Sequence, residues 1–276
     1  MKNKILYIAF FIIVILAGCS ADQQIIDTIR IKGSDTMLPL TQRLAAEYMK
    51  LNPNISIYVE GGGTANGVDA LINGDVDIAT ASRSLRAEEA KKLANYYGSL
   101  GLYFLIAKDA LSIYLNPDNP VKDLTLQQLK DMFTCKITNW KELGGNDEDI
   151  ILVTRSPNSG TFLYFKEHVL EDEEYCDSVI VRNTTEAVID YIHDHKNAIG
   201  YGGIGYKNIY HAYINGYQPS EENARNDTYP ITRYLHFFTS KTPKGIVKDF
   251  IDWVLTPDGQ KIIKDSGFIP LWSVSY

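Results

Sequence analysis

Hydrophobic and polar residues alternate, cluster and repeat along this chain in a way that separates strands from helices. "TIRIKG" (28–33) alternates with period two and ends in glycine, which predicts a strand running into a turn. "TMLPLTQRLAAEYMKLNP" then places its apolar residues at helical spacing and stops before Pro53. "ISIYVEGGG" predicts a strand that leads into a glycine turn. "ANGVDALINGD" predicts a short helix, "VDIATAS" a strand and "RAEEAKKLANYY" a helix. The long apolar run "GLYFLIAKDALSIYLNP" continues the pattern, followed by "LTLQQLKDMF", "DIILVTRS", "GTFLYFKEHVL" and "TEAVIDYIHDH". A closing helix, "PKGIVKDFIDWVLTPDGQKIIKDSG", is expected to break near Pro257. Strands alternating with helices predict an α/β architecture with mostly parallel sheets. "INGYQPSEENARNDTYP" reads as a surface loop, and no repeat, low-complexity tract or flexible linker interrupts the pattern.

The first residues form a pattern of their own. Lys2 and Lys4 precede "ILYIAFFIIVILAG", an apolar stretch of signal-peptide type that stops at Cys19 within "LAGC". Small residues directly before a cysteine read as a lipoprotein signal. Residues 1–18 would be removed, Cys19 would carry lipid on its sulfur, and residues 19–27 would form a short tether. Two acyl chains anchor stably where one is marginal. No later stretch is long and apolar enough to span a bilayer.

Charge narrows the partners. The formal net charge is −7, and cleavage after residue 18 removes two lysines and no acid, leaving −9. Such a surface excludes a nucleic-acid partner, which requires a basic stripe. Cys135 and Cys176 are the other cysteines. An oxidising exterior permits their pairing, but the sequence alone does not show that they meet.

Four segments share one design: a strand, then small polar residues, then a helix. They are "KGSDTM" (32–37), "EGGGTANG" (60–67), "ATASRS" (79–84) and "TRSPNSGTF" (154–162). Helix N-termini carry unpaired N–H groups and partial positive charge, so each is a ready anion site. Serine and threonine hydroxyls add donors, and glycine lets the backbone approach closely. Each helix end contributes roughly 0.3 to 2 kcal/mol toward an anion. Three or four converging ends plus one arginine are expected to hold a small dianion at micromolar affinity or better.

Singly, each segment has a plainer reading. Ser34 or Asp35 is a helix N-cap, Gly61, Gly62 and Gly63 a turn, Ser82 and Arg83 a solvent-facing cap, and "RSPNSGT" a turn with a cap. Their coincidence in one chain carries the anion reading. The histidines and aspartate of "HDH" (193–195) fit a solvated helix end rather than a metal site. Trp140 and Trp253 fit packing, and "EDEEY" (171–175) fits a solvated acidic face.

Here the chain resembles a known family. "GSDTMLPL", "GGGTANGVDALINGDVDIATASRSL", "LTLQQLKDMFTCKITNWKELGG", "RSPNSGTF", "AIGYGGIGY" and "TPDGQKIIKDSGFIPL" are similar, in order, to signatures of the phosphate-binding proteins that serve ABC-type phosphate importers. The resemblance spans roughly residues 28–272. It implies a two-lobed, periplasmic-binding-protein-like fold (type II solute-binding protein), each lobe a mixed sheet flanked by helices. Residues 28–106 with 232–276 would form one lobe and 107–231 the other.

The resemblance also implies a pocket. Ser34, Asp35 and Thr36 would offer backbone N–H and hydroxyl donors, and Thr64 stands where the family has a serine hydroxyl at a helix start. Arg155, Ser159, Gly160 and Thr161 match its Arg-x-x-x-Ser-Gly-Thr, with Arg155 forking onto two ligand oxygens. Ser82 and Arg83 complete the expected set. The best-known branch places an aspartate after the "VDIATA"-type strand, where it accepts the proton of monohydrogen phosphate and so rejects ionised sulfate. Ser82 stands there in this chain, and Asp35 is the alternative acceptor. Cys135 replaces an expected glycine in "F-x-G-x-I-x-N-W".

The implied function is capture of inorganic phosphate outside the cell and delivery to the membrane permease subunits of an ABC importer, by a lipid-anchored monomer without cofactor or metal. Sulfate, molybdate or another tetrahedral oxyanion is the alternative ligand. A phosphatase using Ser159 or Thr161 as nucleophile is disfavoured, because the sequence offers no convincing base or metal cluster beside them.

Overall fold

Residues 26–273 are described by the structure, a computed structural model. The signal segment, Cys19 and most of the tether lie outside the described residues. The strands are β1 (Asp27–Gly33), β2 (Ile55–Glu60), β3 (Ile78–Ala81), β4 (Leu102–Leu115), β5 (Asp123–Leu124), β6 (Ile151–Arg155), β7 (Ile180–Arg182), β8 (Ala198–Gly203), β9 (Tyr210–His211), β10 (Tyr213–Ile214) and β11 (Thr232–Thr239). The helices are α1 (Leu38–Leu51), α2 (Thr64–Asn73), α3 (Ala87–Tyr97), α4 (Leu126–Phe133), α5 (Gly160–His168), α6 (Thr185–Asp194), α7 (Glu221–Arg225), α8 (Gly245–Val254) and α9 (Pro257–Asp265).

Among the described residues, nine strands form one hydrogen-bonded sheet in the order β2-β1-β3-β11-β4-β8-β6-β7, with β9 on β4. The β1–β2, β1–β3, β6–β7 and β6–β8 pairs are parallel, as strand–helix alternation requires. The expectation of mostly parallel sheets is corrected at the centre. There β11 runs antiparallel to β3 and β4, and β4 runs antiparallel to β8. The fourteen-residue β4 explains this. Its first part pairs with β11 through Ala110, and its second part, from Leu111, pairs with β8.

Two large hydrophobic clusters lie along that path. One gathers Ile29, Ile31, Leu40, Leu44, Phe237, Phe250 and Ile251 around β1, α1, β11 and α8. The other gathers Ile113, Leu129, Phe133, Trp140, Phe165 and Tyr201. Burying side chains of this size stabilises by about 1.5–3 kcal/mol each. Trp140 is in this core, its indole N–H donating to the Asn197 carbonyl at 2.8 Å. Trp253 packs on Tyr48 and Phe250.

Local chemistry explains several boundaries. α4 begins at a capping box in which Thr125 and Gln128 bond each other's backbone N–H. The closing helix divides at Pro257, which sits at the start of α9. "INGYQPSEENARNDTYP" is more ordered than its polarity predicts: it starts at the last residue of β10 and contains α7, with Ala224 fully buried. Cys135 and Cys176 are joined in a disulfide. Cys135 has φ 59°, the left-handed conformation that favours the glycine it replaces. No helix among the described residues is long and apolar enough to cross a membrane.

Candidate anion-binding site

The C-terminal ends of parallel strands β1, β3 and β6 carry three of the four small-polar segments, and the turn after β2 carries the fourth. Because β1 lies between β2 and β3, their C-terminal turns emerge side by side. Gly33 ends β1 at φ 150°, and any Cβ there would strike the Thr80 carbonyl, so the β1 and β3 turns are drawn together. A 3₁₀ turn, Asp35–Met37, follows β1, and no side chain caps it or α2.

Hydroxyls from all four segments or their flanking residues meet. Thr36 Oγ1 lies 2.8 Å from Thr161 Oγ1, and Ser82 Oγ lies 3.4 Å from Thr161 Oγ1 and 3.5 Å from Thr64 Oγ1. The Ser82 N–H also donates to Thr64 Oγ1 at 3.3 Å. All four residues are at most 1% exposed. Gly160 starts α5 against this cluster, where a Cβ would collide with the Thr64 and Ser82 hydroxyls. Ser159 caps α5, its oxygen accepting from the Thr161 and Phe162 N–H groups, which leaves its O–H hydrogen free to donate elsewhere. Ser34 is buried beside them, its N–H donating to the Thr80 carbonyl.

Two guanidinium groups border the hydroxyls. Arg155, 1% exposed, donates from Nη1 to Thr185 Oγ1 at 2.8 Å. Its Nη2 donates to Asp35 Oδ2 and to the Asn183 carbonyl, both at 2.7 Å. The end of Arg155 expected to fork onto a ligand is thus engaged by Asp35, and its buried Nε has no protein partner. Asp35 is not a simple helix cap: its Oδ1 accepts from the Gly62 N–H at 2.8 Å while Oδ2 faces the arginine. Tyr206 donates to the Asp35 carbonyl at 3.0 Å. Burial, reinforced by Glu186, pushes the Tyr206 phenol up, so it remains a protonated donor at neutral pH.

The second guanidinium was not anticipated. Arg233 of β11 donates from Nη1 to Thr161 Oγ1 at 3.1 Å and to the Ser82 carbonyl at 3.3 Å. Its Nε donates to Asp109 Oδ2 at 2.9 Å, and Asp109 Oδ1 accepts from the Ile204 N–H. Asp109 and Arg233 are direct cross-strand partners on β4 and β11. The available signal was an ionic residue inside each of two largely apolar strand patterns, Asp109 next to Lys108 in β4 and Arg233 in β11. Charges are buried in such places only when paired.

Arg83 is the correction among the expected ligands. Its Nη1 and Nη2 bind both carboxylate oxygens of Glu89, at 2.8 and 2.7 Å, and Nη1 also donates to the Ser84 carbonyl. Glu89, in the first turn of α3, claims the planar fork in the geometry a carboxylate prefers. The structure therefore brings Thr36, Thr64, Ser82 and Thr161 into mutual contact, with Gly160 against them. It joins Asp35 to Arg155, leaves Ser159 as the α5 cap, and turns Arg83 away.

Chemically, the site offers hydroxyl O–H and helix-start N–H donors, with two arginines each balanced by an aspartate. Mutually bonded hydroxyls can exchange those bonds for bonds to one oxyanion at little net cost in hydrogen bonds. A cleft of 540 Å³ lined by Asp35, Gly62, Asn66, Ser156, Asn158 and Asn183 lies at the mouth.

Comparison with known proteins agrees with this architecture. Residues 19–258 match the PBP superfamily domain. The phosphate-binding protein PstS of Bacillus subtilis (strain 168) is 34% identical, over 88% of this chain and 81% of its own length. PstS of Pseudomonas aeruginosa is 31% identical, over 87% and 81% respectively. Among solved structures, a phosphate ABC transporter substrate-binding protein from Clostridium perfringens, with bound phosphate, superposes with a TM-score of 0.84 at 31% identity. That match covers 89% of this chain and 100% of the other. An ABC-type phosphate transport receptor from Vibrio cholerae gives a TM-score of 0.70 at 29% identity, covering 87% and 99%. By sequence along most of its length and by fold, the chain belongs to the phosphate-binding protein family of the PBP superfamily.

Proposed function

We propose that this protein captures inorganic phosphate outside the cell and hands it to the permease of an ABC-type importer, while a lipid on Cys19 holds it at the membrane. The observation that carries the reading is the buried hydroxyl cluster bordered by two guanidiniums, with Arg155 Nε buried and unpartnered beside it. A buried guanidinium N–H without an acceptor is costly, and a phosphate oxygen would satisfy it. The relatives named above, described as phosphate-binding, support the choice of anion.

In this reading, residues 28–106 with 232–276 form one lobe and 107–231 the other. Ser34, Asp35, Thr36, Thr64 and Ser82 come from the first lobe, and Arg155, Ser159, Gly160 and Thr161 from the second. Arg233 joins the set from β11. The hydroxyls are sealed from solvent, so an anion reaches them only when the two sets of segments separate. Closure is then favoured because the ligand contacts both lobes at once. Asp35 is the carboxylate positioned to accept a phosphate proton and so to turn away ionised sulfate.

The protein acts by binding rather than catalysis. Ser159, the obvious nucleophile, accepts helix N–H groups instead of facing a base. Retention of labelled phosphate on a filter tests the reading, and no retention at micromolar phosphate contradicts it. Competition by sulfate tests Asp35: an unchanged anion preference in Asp35→Asn removes it from that role.

A further inference from the structure

Asn158 lies in the Arg-to-Ser interval of "RSPNSGTF", between the two groups already discussed and part of neither. Its side-chain Nδ2 donates to the Gly62 carbonyl at 2.9 Å, and its backbone carbonyl accepts from the Ala65 N–H at 3.1 Å. Both partners are some ninety residues away, on the glycine turn after β2 and the first turn of α2. The two bonds join the β6–α5 turn to the β2–α2 turn at the rim of the cleft, outside the buried hydroxyls.

The amide is aimed. Ser156 Oγ donates to Asn158 Oδ1, which fixes the oxygen and leaves Nδ2 to face Gly62. The seam is also tight, since a Cβ on Gly63 would lie 2.8 Å from the Asn158 carbonyl oxygen. Asn66 Nδ2 reaches the same Gly62 carbonyl at 2.7 Å, but from within the β2–α2 unit. Gly62 O thus accepts one bond within its own segment and one across the seam.

We infer that Asn158 is a latch: a positioning residue that holds the two lobes together over a bound anion and sets how slowly it is released. This rests on the phosphate-capture reading above. Phosphate enters before the seam forms, so the latch governs dissociation and leaves association nearly unchanged. Its contribution is independent of which oxyanion is inside, because it touches the other lobe and not the ligand. This separates it from Arg155 and Thr161, whose loss would weaken binding in proportion to direct contacts.

The test is stopped-flow phosphate binding and release on the full chain, for wild type, Asn158→Ala, Asn158→Asp and Asn66→Ala. Loss of one cross-seam hydrogen bond should speed release roughly tenfold in Asn158→Ala. The association rate should stay within about twofold, since related complexes differ mainly in dissociation. Asn158→Asp keeps the volume but loses the donor, and should release at least as fast. Asn66→Ala should release at the wild-type rate. Asn158 sits in a half-buried loop, so melting temperatures near wild type are expected and confirm folded variants. Wild-type release rates in both Asn158 variants, or a loss confined to association, overturn the latch while leaving phosphate capture intact. Failure of the wild type itself to bind phosphate overturns both.

Discussion

Arg155 and Arg233 are both all but sealed from solvent and each is paired with a buried aspartate, but the two pairs are built differently. Asp109 and Arg233 face one another across the β4–β11 ladder, and the sheet's own hydrogen bonds hold them in register. Asp35 and Arg155 belong to segments 120 residues apart that share no ladder and meet only at the site. The first pair is part of the scaffold. The second exists only while the two segments are together, so its partners can return to water when they part. One charge pair is therefore fixed by the fold, and under the proposed capture mechanism the other forms only when the segments close.

Mutations should separate the two. Asp109→Ala strands Arg233 inside the sheet, and breaking a buried pair in this way costs about 3–5 kcal/mol. Urea unfolding should show that loss, and a change below about 1 kcal/mol would mean Arg233 is not fixed by the ladder. Arg155→Ala should act on the ligand instead. Loss of its charge-assisted contacts weakens phosphate binding about a hundredfold by calorimetry. A loss of stability without loss of affinity would reverse the assignment.

Acid offers a third lever on the sheet-borne region. His236, three residues along β11 from Arg233, is pushed down to about 4, chiefly by burial, with the nearby arginine adding to the effect. Unfolded, it would titrate near 6.5. The unfolded chain therefore takes up the proton first, so the stability from neutral His236 is full above that value. It declines as pH falls toward 4, by on the order of 2 kcal/mol. Half-buried His211, also shifted down by its partial burial, acts in the same direction. A His236→Phe variant whose stability falls just as steeply between pH 6.5 and 4 would remove His236 from this role. The smallest effect is expected from Arg83→Met, which should leave phosphate affinity within about twofold because Glu89 already holds that fork.

The sequence made part of this comparison legible. All four strand–turn–helix segments announced themselves by small polar residues, three of them with glycine, and the hydroxyls of Thr36, Thr64, Ser82 and Thr161 do converge. "ATASRS" misled in one respect: an arginine after small polar residues looks like an anion ligand, but Glu89, six residues on, is its partner. That pairing depends on where α3 turns back, which residue types do not specify. The pairing of Arg233 with Asp109 was hidden for a different reason. Each looks like an ordinary polar position in a strand until strand order makes β4 and β11 neighbours, and strand–helix alternation signals parallel pairing, which hides the antiparallel centre. The Cys135–Cys176 bridge likewise needed the approach of two distant loops, with Cα atoms 5.5 Å apart.

A crystal structure of the protein grown with phosphate measures the central claim most directly. It should place one phosphate among the Thr36, Thr64, Ser82 and Thr161 hydroxyls, with Arg155 or Arg233 in hydrogen-bond contact and the present hydroxyl–hydroxyl bonds exchanged for bonds to its oxygens. Phosphate bound elsewhere, with Thr36 and Thr161 still bonded to each other, would contradict it.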